Sequence, residues 1–455
     1  MATGRSAPFA AILAFLLLGS VSCVDAGGAQ LDTIHPPASW QPVTDALARM
    51  IEHEMADKQL PALSIALVDD QQIVWARGFG FARVTDSVPA TARTIYRVGS
   101  VSKLFTDLAV MQLVERGELG LDVPVSTYLH DFAPANDFGG DITLRQLMSH
   151  RAGLVREPPV GNYFDTSGVS LEATIASLND TRLVYEPGSH PKYSNAGVAT
   201  VGRVLEATQQ QPFAPWLHDR ILVPMGLPHA AFEPDDEIRS RLADAVMWTV
   251  DGREFPAPSF QLGMAPAGSM YASVTDLARF LGVLFAGGRA PDGAVVSEAT
   301  LREMWTPQYA PDTATTGFGI GFAISRLDSA KVISHGGAIY GFATELSALP
   351  DERLGVVVAT TRDGANQVTS RIAEMALRMM RAARAGQPLP EPVLTSPLSL
   401  ASARAIEGSY GSGSAAVRLG ARDSSVTLTR AVGGTPLRLM RMPGPGDTLV
   451  GDGAL

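Results

Sequence analysis

The period of the apolar positions changes along the chain, and each change marks a predicted element. Gln41 to Met55 places Val43, Leu47, Met50 and Ile51 on one face at helical spacing, the pattern of a helix packed on one side. Ala62 to Val68 and Ile73 to Phe81 are β-rich runs separated by Asp69-Asp70-Gln71-Gln72, which predicts a hairpin. Val101 to Val114 is apolar nearly all round, with Leu104, Phe105, Leu108, Val110, Met111 and Leu113 among its residues. A helix of that kind is buried on most sides, and the Gly117 to Leu121 stretch ends it. From about Asp122 to Pro256, helical patterns (Leu144 to Met148, Leu171 to Leu178, Val198 to Ala207) alternate with Pro and loop signals, without clear strand pairs. This predicts a mostly helical insertion.

Strand patterns return at Phe318 to Ile324, Val332 to His335, Phe342 to Leu349 and Leu354 to Thr360. The last two flank Pro350-Asp351-Glu352-Arg353, a turn sequence. Gln367 to Arg384 is a strongly amphipathic helix. Strands at both ends of the main body with helices between them predict an α/β (α+β) fold: an antiparallel sheet flanked by terminal helices, with the helical segment inserted. Gly386 to Pro397 carries four prolines and reads as a linker, taken over 386–399. In 400–455, Ala416 to Leu419, Val426 to Thr429 and Leu437 to Met440 alternate as strands of a small β module. Some fifty residues is marginal for an independent domain. The module is therefore expected either to pack on the main body or to be truncated.

The N-terminus has a different pattern. Arg5 precedes the apolar run Phe9 to Leu18, which has the length of a signal-peptide core and is too short to span a bilayer. Val24-Asp25-Ala26 gives small residues at cleavage spacing, so residues 1–26 read as a signal peptide. Ser20-Val21-Ser22-Cys23 instead resembles a lipoprotein box, with Cys23 lipidated. The chain is thus expected to be secreted or periplasmic, with membrane contact only through a lipid on Cys23.

Composition narrows the partners. A net charge of -10 over 455 residues argues against nucleic acid or an anionic membrane surface. Cys23 is the one cysteine, which excludes an internal disulfide. The eight histidines form no HExxH or other short-spaced pair, so no metal or other cofactor is implied. Lysine occurs only at 58, 103, 192 and 331, which makes a lysine motif rarer by chance.

Ser100-Val101-Ser102-Lys103 opens the buried helix. A serine hydroxyl is a poor nucleophile until a base takes its proton, and a lysine at i+3 puts an amine beside it. The plainer reading of Ser100 is a helix N-cap. Ser189-His190-Pro191-Lys192 repeats the pattern on a proline-broken stretch where no helix fixes the spacing. Two further motifs separate the two serines. Tyr193-Ser194-Asn195 is the only Tyr-x-Asn in the chain; a tyrosine near a cationic lysine loses its proton more easily. His335-Gly336-Gly337 is the only His-x-Gly, at a strand end whose glycines admit a close backbone approach.

These three motifs, in this order, resemble those of the serine β-lactamase-like, penicillin-binding hydrolases: class C β-lactamases, DD-peptidases and related esterases. Gln146-Leu147-Met148-Ser149-His150-Arg151-Ala152-Gly153-Leu154, Glu186-Pro187-Gly188, Phe318-Gly319-Ile320-Gly321-Phe322 and Gly341-Phe342 extend the likeness over about residues 40–385. The resemblance implies that Ser100 attacks an amide, lactam or ester carbonyl and forms an acyl-enzyme. It implies that Lys103 keeps the proton network poised and that Tyr193 is the general base. Asn195 would hydrogen-bond the substrate and Lys103. The backbone N–H groups of Ser100 and Ala338 would form the oxyanion hole, with His335 and Gly337 on the substrate-binding edge.

The sequence departs from the lactamases at the third motif, where they carry Lys-Thr-Gly. A neutral histidine and a missing hydroxyl weaken recognition of an anionic lactam. The expected substrate is therefore a small-molecule or peptide acyl compound, a carboxyl ester or D-amino-acid peptide, ahead of penicillins. A class C-like β-lactamase and a non-catalytic penicillin or peptidoglycan-peptide binder are the alternatives.

Overall fold

The computed structural model describes residues 32–248, 253–422, 425–430, 437–442 and 448–452. The signal-peptide and Cys23 readings lie outside these residues.

The first helix, α1 (Gln41–Lys58), leads into the hairpin of β1 (Ala62–Asp69) and β2 (Gln72–Arg83), followed by the short β3 (Val88–Pro89). The buried helix is α2 (Ser102–Glu115), and the insertion carries α3 (Asn195–Gln209). Next come α4 (Val274–Phe285) and the strands β4 (Gly317–Phe318), β5 (Ala323–Leu327), β6 (Ala330–Ile339), β7 (Phe342–Leu349) and β8 (Leu354–Thr360). Helix α5 (Asn366–Arg384) closes the main body. The eight strands form one antiparallel sheet in the order β4-β5-β6-β7-β8-β1-β2-β3.

The two ends of the main body meet where β1 pairs with β8, from Leu63↔Thr360 to Asp69↔Leu354. Both strands read as continuous apolar runs because both faces of the sheet are covered. Leu63, Ile65, Val356 and Val358 face α1 and α5, whereas Ala62, Ala66, Val357 and Ala359 join the core around α2 and α4. Each fully buried Leu, Ile or Val side chain in these layers contributes about 1.5–3 kcal/mol. The expected antiparallel sheet, flanking helices and small C-terminal sheet are all present.

Three details differ from expectation. Phe318 to Ile324 is not one strand. It is the tight β4–β5 hairpin, pairing Gly317↔Ile324 and Phe318↔Ala323, with Gly321 at φ +77° in its turn. The insertion is not free of strand pairs: Val246–Trp248 pairs with Glu254–Pro256. Strand β6 runs on past His335 to Ile339 because Gly336, Gly337 and Ala338 keep their pairing with Glu345, Thr344 and Ala343.

The C-terminal module begins with α6 (Leu400–Ala405). Five antiparallel strands follow: β9 (Gly408–Tyr410), β10 (Val417–Arg422), β11 (Ser425–Arg430), β12 (Leu437–Arg441) and β13 (Leu449–Asp452). Its small core holds Leu398, Ala403, Val426 and Leu439.

Candidate functional site

The site forms where the start of α2 presses against β6. Ser100 lies in a 3-10 turn, Gly99–Val101, just ahead of the helix. Two glycines permit the contact. Gly99 has φ +52°, and a Cβ there would lie 2.7 Å from the Ala338 nitrogen; a Cβ on Gly337 would lie 2.0 Å from the Val98 oxygen. Ser102 fixes the turn from within: its Oγ donates to the Gly99 carbonyl at 2.6 Å and accepts from the Met270 N–H at 3.0 Å. Asn366, at the start of α5, donates to the Gly337 carbonyl at 2.7 Å and holds β6 from the other side.

Ser100 does not cap α2. Val101 occupies the N-cap position with no side-chain capping bond, and the Ser100 hydroxyl is engaged elsewhere. Lys103 Nζ lies 2.9 Å from Ser100 Oγ, 2.7 Å from Asn195 Oδ1 and 2.6 Å from the Ala267 carbonyl. Lys103 is wholly buried. Burial pulls its proton affinity down to about 7, against the opposing charges of Asp107 and Glu157.

The second motif is set by a helix cap. Ser194 Oγ accepts from the Gly197 N–H at 2.9 Å and donates to the Val155 carbonyl at 2.7 Å. This fixes Tyr193 just outside α3 and Asn195 as its first residue. The Tyr193 ring packs on His150 with centroids 4.2 Å apart, and the Arg156 guanidinium lies 5.1 Å from its centroid. Burial pushes the phenol up to about 12, although a hydrogen bond with Ser100 and the Arg156 charge act the other way. The expected easier ionisation of Tyr193 is therefore not what these surroundings produce. Desolvation of the phenolate outweighs the nearby cations.

His335 faces the same space, 6.4 Å from the Tyr193 ring centre, and its Nδ1–H donates to the Gly336 carbonyl at 2.7 Å. Burial, with Lys103 adding to it, lowers His335 to about 4, so the third motif is uncharged at neutral pH. His150 is held well below the ordinary imidazole range, first by burial and then by repulsion from the Lys103 and Arg156 cations. Its neutral Nδ1 accepts the Ser194 N–H at 3.3 Å.

The structure thus brings Ser100, Lys103, Tyr193, Asn195, His335, Gly337 and Ala338 together. The second Ser-x-x-Lys does not join them. Ser189 sits in an exposed turn, with its hydroxyl donating to the Glu186 carbonyl at 2.6 Å.

The motif reading missed Glu157. Its carboxylate takes the Asn195 amide at 2.8 and 3.0 Å and pairs with Arg156 Nε at 3.1 Å. Burial raises the Glu157 carboxyl above its ordinary range. Asn195 is itself fully buried, with its oxygen on Lys103 and its nitrogen on Glu157. No short motif contains Glu157; the one signal was an acid one residue from Arg156 in a Pro-rich loop.

This fold is that of the serine β-lactamase class of hydrolases. The chain belongs to the Beta-lactamase family, whose model matches residues 47–378. It is 30% identical to penicillin-binding protein 4 of Amycolatopsis lactamdurans over 345 residues, 72% of this chain and 85% of that protein. It is 27% identical to putative beta-lactamase-like 1 of Homo sapiens over 376 residues, 79% of this chain and 73% of that protein. Beta-lactamase-like protein 2 of Dictyostelium discoideum is also 27% identical over 68% of this chain, which spans 58% of that relative's length.

Among solved structures, the octameric penicillin-binding protein homologue from Pyrococcus abyssi superposes with a TM-score of 0.68 at 26% identity, covering 89% of this chain and 94% of that one. EstCE1, a hydrolase with promiscuous acyltransferase activity, shares the fold at a TM-score of 0.65 and 21% identity, covering 74% of this chain and 98% of its own.

Proposed function

We propose that this chain is an exported serine hydrolase that acts through an acyl-enzyme at Ser100 on carboxyl esters or D-amino-acid-type peptide amides. The observation that carries the reading is the fully engaged Lys103 amine, 2.9 Å from Ser100 Oγ, in a site that lowers its proton affinity to about 7. A neutral Lys103 spends its two N–H groups on Asn195 and Ala267 and turns its lone pair to the Ser100 hydroxyl. Of the two candidate bases, Lys103 is then the better acceptor, because Tyr193 stays a neutral phenol.

In this reading the Ser100 proton passes to Lys103 as Oγ bonds to the substrate carbonyl carbon. Tyr193 gives its proton to the departing oxygen or nitrogen and recovers one from the Lys103 ammonium, so the pair ends acylation with its starting proton count. Water then repeats the sequence in reverse and frees the acid. The backbone N–H groups of Ser100 and Ala338 are assigned the developing oxyanion; one such donor is worth on the order of 100-fold in rate.

The neutral His335 supports esters and peptides over lactams, since it offers no fixed cation to a penicillin carboxylate. A second reading, slow acylation by penicillins, is favoured by the relative named penicillin-binding protein 4.

The test is labelling with a fluorophosphonate and with a fluorescent penicillin, read by intact mass, on wild type and Ser100→Ala. We expect a single fluorophosphonate adduct that Ser100→Ala abolishes, with p-nitrophenyl ester or D-Ala peptide turnover exceeding nitrocefin turnover. No adduct, or one that survives in Ser100→Ala, rejects the reading. The same spectra of protein from an exporting host distinguish release after Ala26 from a lipidated Cys23.

A further inference from the structure

Asp107 is wholly buried on α2, one helical turn past Lys103. Neither carboxyl oxygen has a hydrogen-bond partner among the described residues. The β4–β5 hairpin closes over it: a Cβ on Gly321 would lie 3.0 Å from Asp107 Oδ2. Of the other polar side chains of this helix, only Gln112 also leaves a buried atom, its Oε1, without a partner among the described residues. Ser102 and Thr106 bond the carbonyls of Gly99 and Pro266, and Gln112 bonds that of Val295. An unpaired buried carboxyl is unfavourable, and an apolar residue of similar size would ordinarily be more stable there. What Asp107 does have is a place on the same helical face as the Lys103 amine, at i+4.

We propose that Asp107 is a positioning residue for the reaction: its carboxylate is the inner countercharge that lets the buried Lys103 amine become an ammonium when it takes the proton of Ser100. The proposal rests on the reading of Lys103 as the acceptor of that proton. Other groups surround the amine. Glu157 and Arg156 lie on the 156–168 loop side, Tyr193 and His150 lie above, and His335 lies on β6. Glu157 reaches Lys103 only through Asn195 and is offset by Arg156. His150 and His335 are neutral. Asp107 is thus the one buried acid on the inner side among the described residues. Burial raises the Asp107 carboxyl well above its ordinary range, and the Lys103 ammonium is what pulls it back toward the ionised form; in turn the Asp107 charge raises the proton affinity of the amine, which burial lowers. Removing the carboxylate therefore makes Lys103 a weaker base.

The experiment follows the pH dependence of fluorophosphonate labelling at Ser100, and of p-nitrophenyl ester hydrolysis, in wild type and Asp107→Asn. We expect the plateau rate of Asp107→Asn to fall at least tenfold, its acid limb to move to lower pH, and KM to stay within about twofold. A wild-type plateau and limb in Asp107→Asn overturn the proposal. Absence of a Ser100 adduct in wild type instead rejects the underlying reading. Should Asp107→Asn not accumulate, thermal midpoints at pH 8 of Lys103→Met and Lys103→Met/Asp107→Asn decide the matter. A coupled pair predicts the higher midpoint for the double variant, which lacks the stranded carboxylate. Equal midpoints overturn the coupling.

Discussion

At the scale of the residue, the site turns on which group is charged at neutral pH. In the proposed reaction Lys103 has to be neutral to take a proton from Ser100, and its affinity lies near 7. The fraction of neutral amine falls as pH drops through that value. kcat/KM is therefore expected to decline tenfold per pH unit on the acid side, with a midpoint near 7, in a steady-state profile from pH 5 to 9. His335, near 4, adds no second limb in this window. A profile flat down to pH 5 would show that Lys103 is not the acceptor. The roles of these residues were legible to different degrees before the fold was known. Ser100, Lys103, Tyr193 and His335 belong to short motifs whose spacing reflects a local turn, so each could be read. Glu157 reaches the site only across the fold, through Asn195, and Asp107, although one turn from Lys103 on the same helix, belongs to no short motif. Asp107 did leave one trace: a second charge, after Lys103, inside a helix that is apolar nearly all round.

At the scale of the element, the glycines of β6 matter more than its strand propensity. The strand pattern marked Phe342 to Leu349 and Leu354 to Thr360 at the bounds the structure shows, because both strands are buried along their whole length and meet at a turn. It stopped β6 at His335, since glycines read as strand breakers, and it fused β4 with β5 across a turn that only Gly321 makes tight. Gly337 keeps its pairing with Thr344 while lying under the Val98 carbonyl. A methyl group at 2.0 Å from that oxygen has to move the 3-10 turn, not the strand, which is held at Gly337 by its pairing with Thr344 of β7 and by the Asn366 side chain on the Gly337 carbonyl. Gly337→Ala is thus expected to fold with the wild-type far-ultraviolet spectrum and to lose about 100-fold or more in ester hydrolysis, as misplacement of a nucleophile by about 1 Å does. Gly336→Ala, whose Cβ meets nothing nearer than the Glu345 carboxylate at 3.3 Å, should lose far less. Equal losses in the two variants would remove the argument.

At the scale of the whole molecule, the small C-terminal sheet is fastened to the main body by charge. Arg438 on β12 pairs with Asp57 of α1 at 3.0 Å; Asp57 also lies 2.8 Å from Lys58, and Lys58 lies 2.8 Å from Glu54. Glu54 is in turn held by Arg371 of α5 at 2.8 Å, so one chain of alternating charge joins the module to both helices on that face of the sheet. Burial pushes the Asp57 carboxyl up, but the hydrogen bonds and charges of Lys58 and Arg438 outweigh it and leave Asp57 below its ordinary range. A carboxyl lowered on folding stabilises the folded form above the unfolded value of about 3.9, and that contribution is lost as pH falls through the lowered value. Asp57→Asn leaves Lys58 and Arg438 short of an anion in a setting where Asp57 is only 11% exposed. The expected loss is about 3 kcal/mol, measured by urea unfolding at pH 7. If the fastening is specific, limited proteolysis of Asp57→Asn should cut first within the Pro-rich stretch after Gly386 and do so faster than in wild type, while Ser100 labelling proceeds at the wild-type rate. Because the unfolded Asp57 carboxyl takes up its proton at about pH 3.9 while the folded one is held lower, the stability gap between the two proteins should narrow from pH 7 to pH 3. A gap that stays constant over that range would mean that the module is held by its apolar contacts and that the ion chain is incidental.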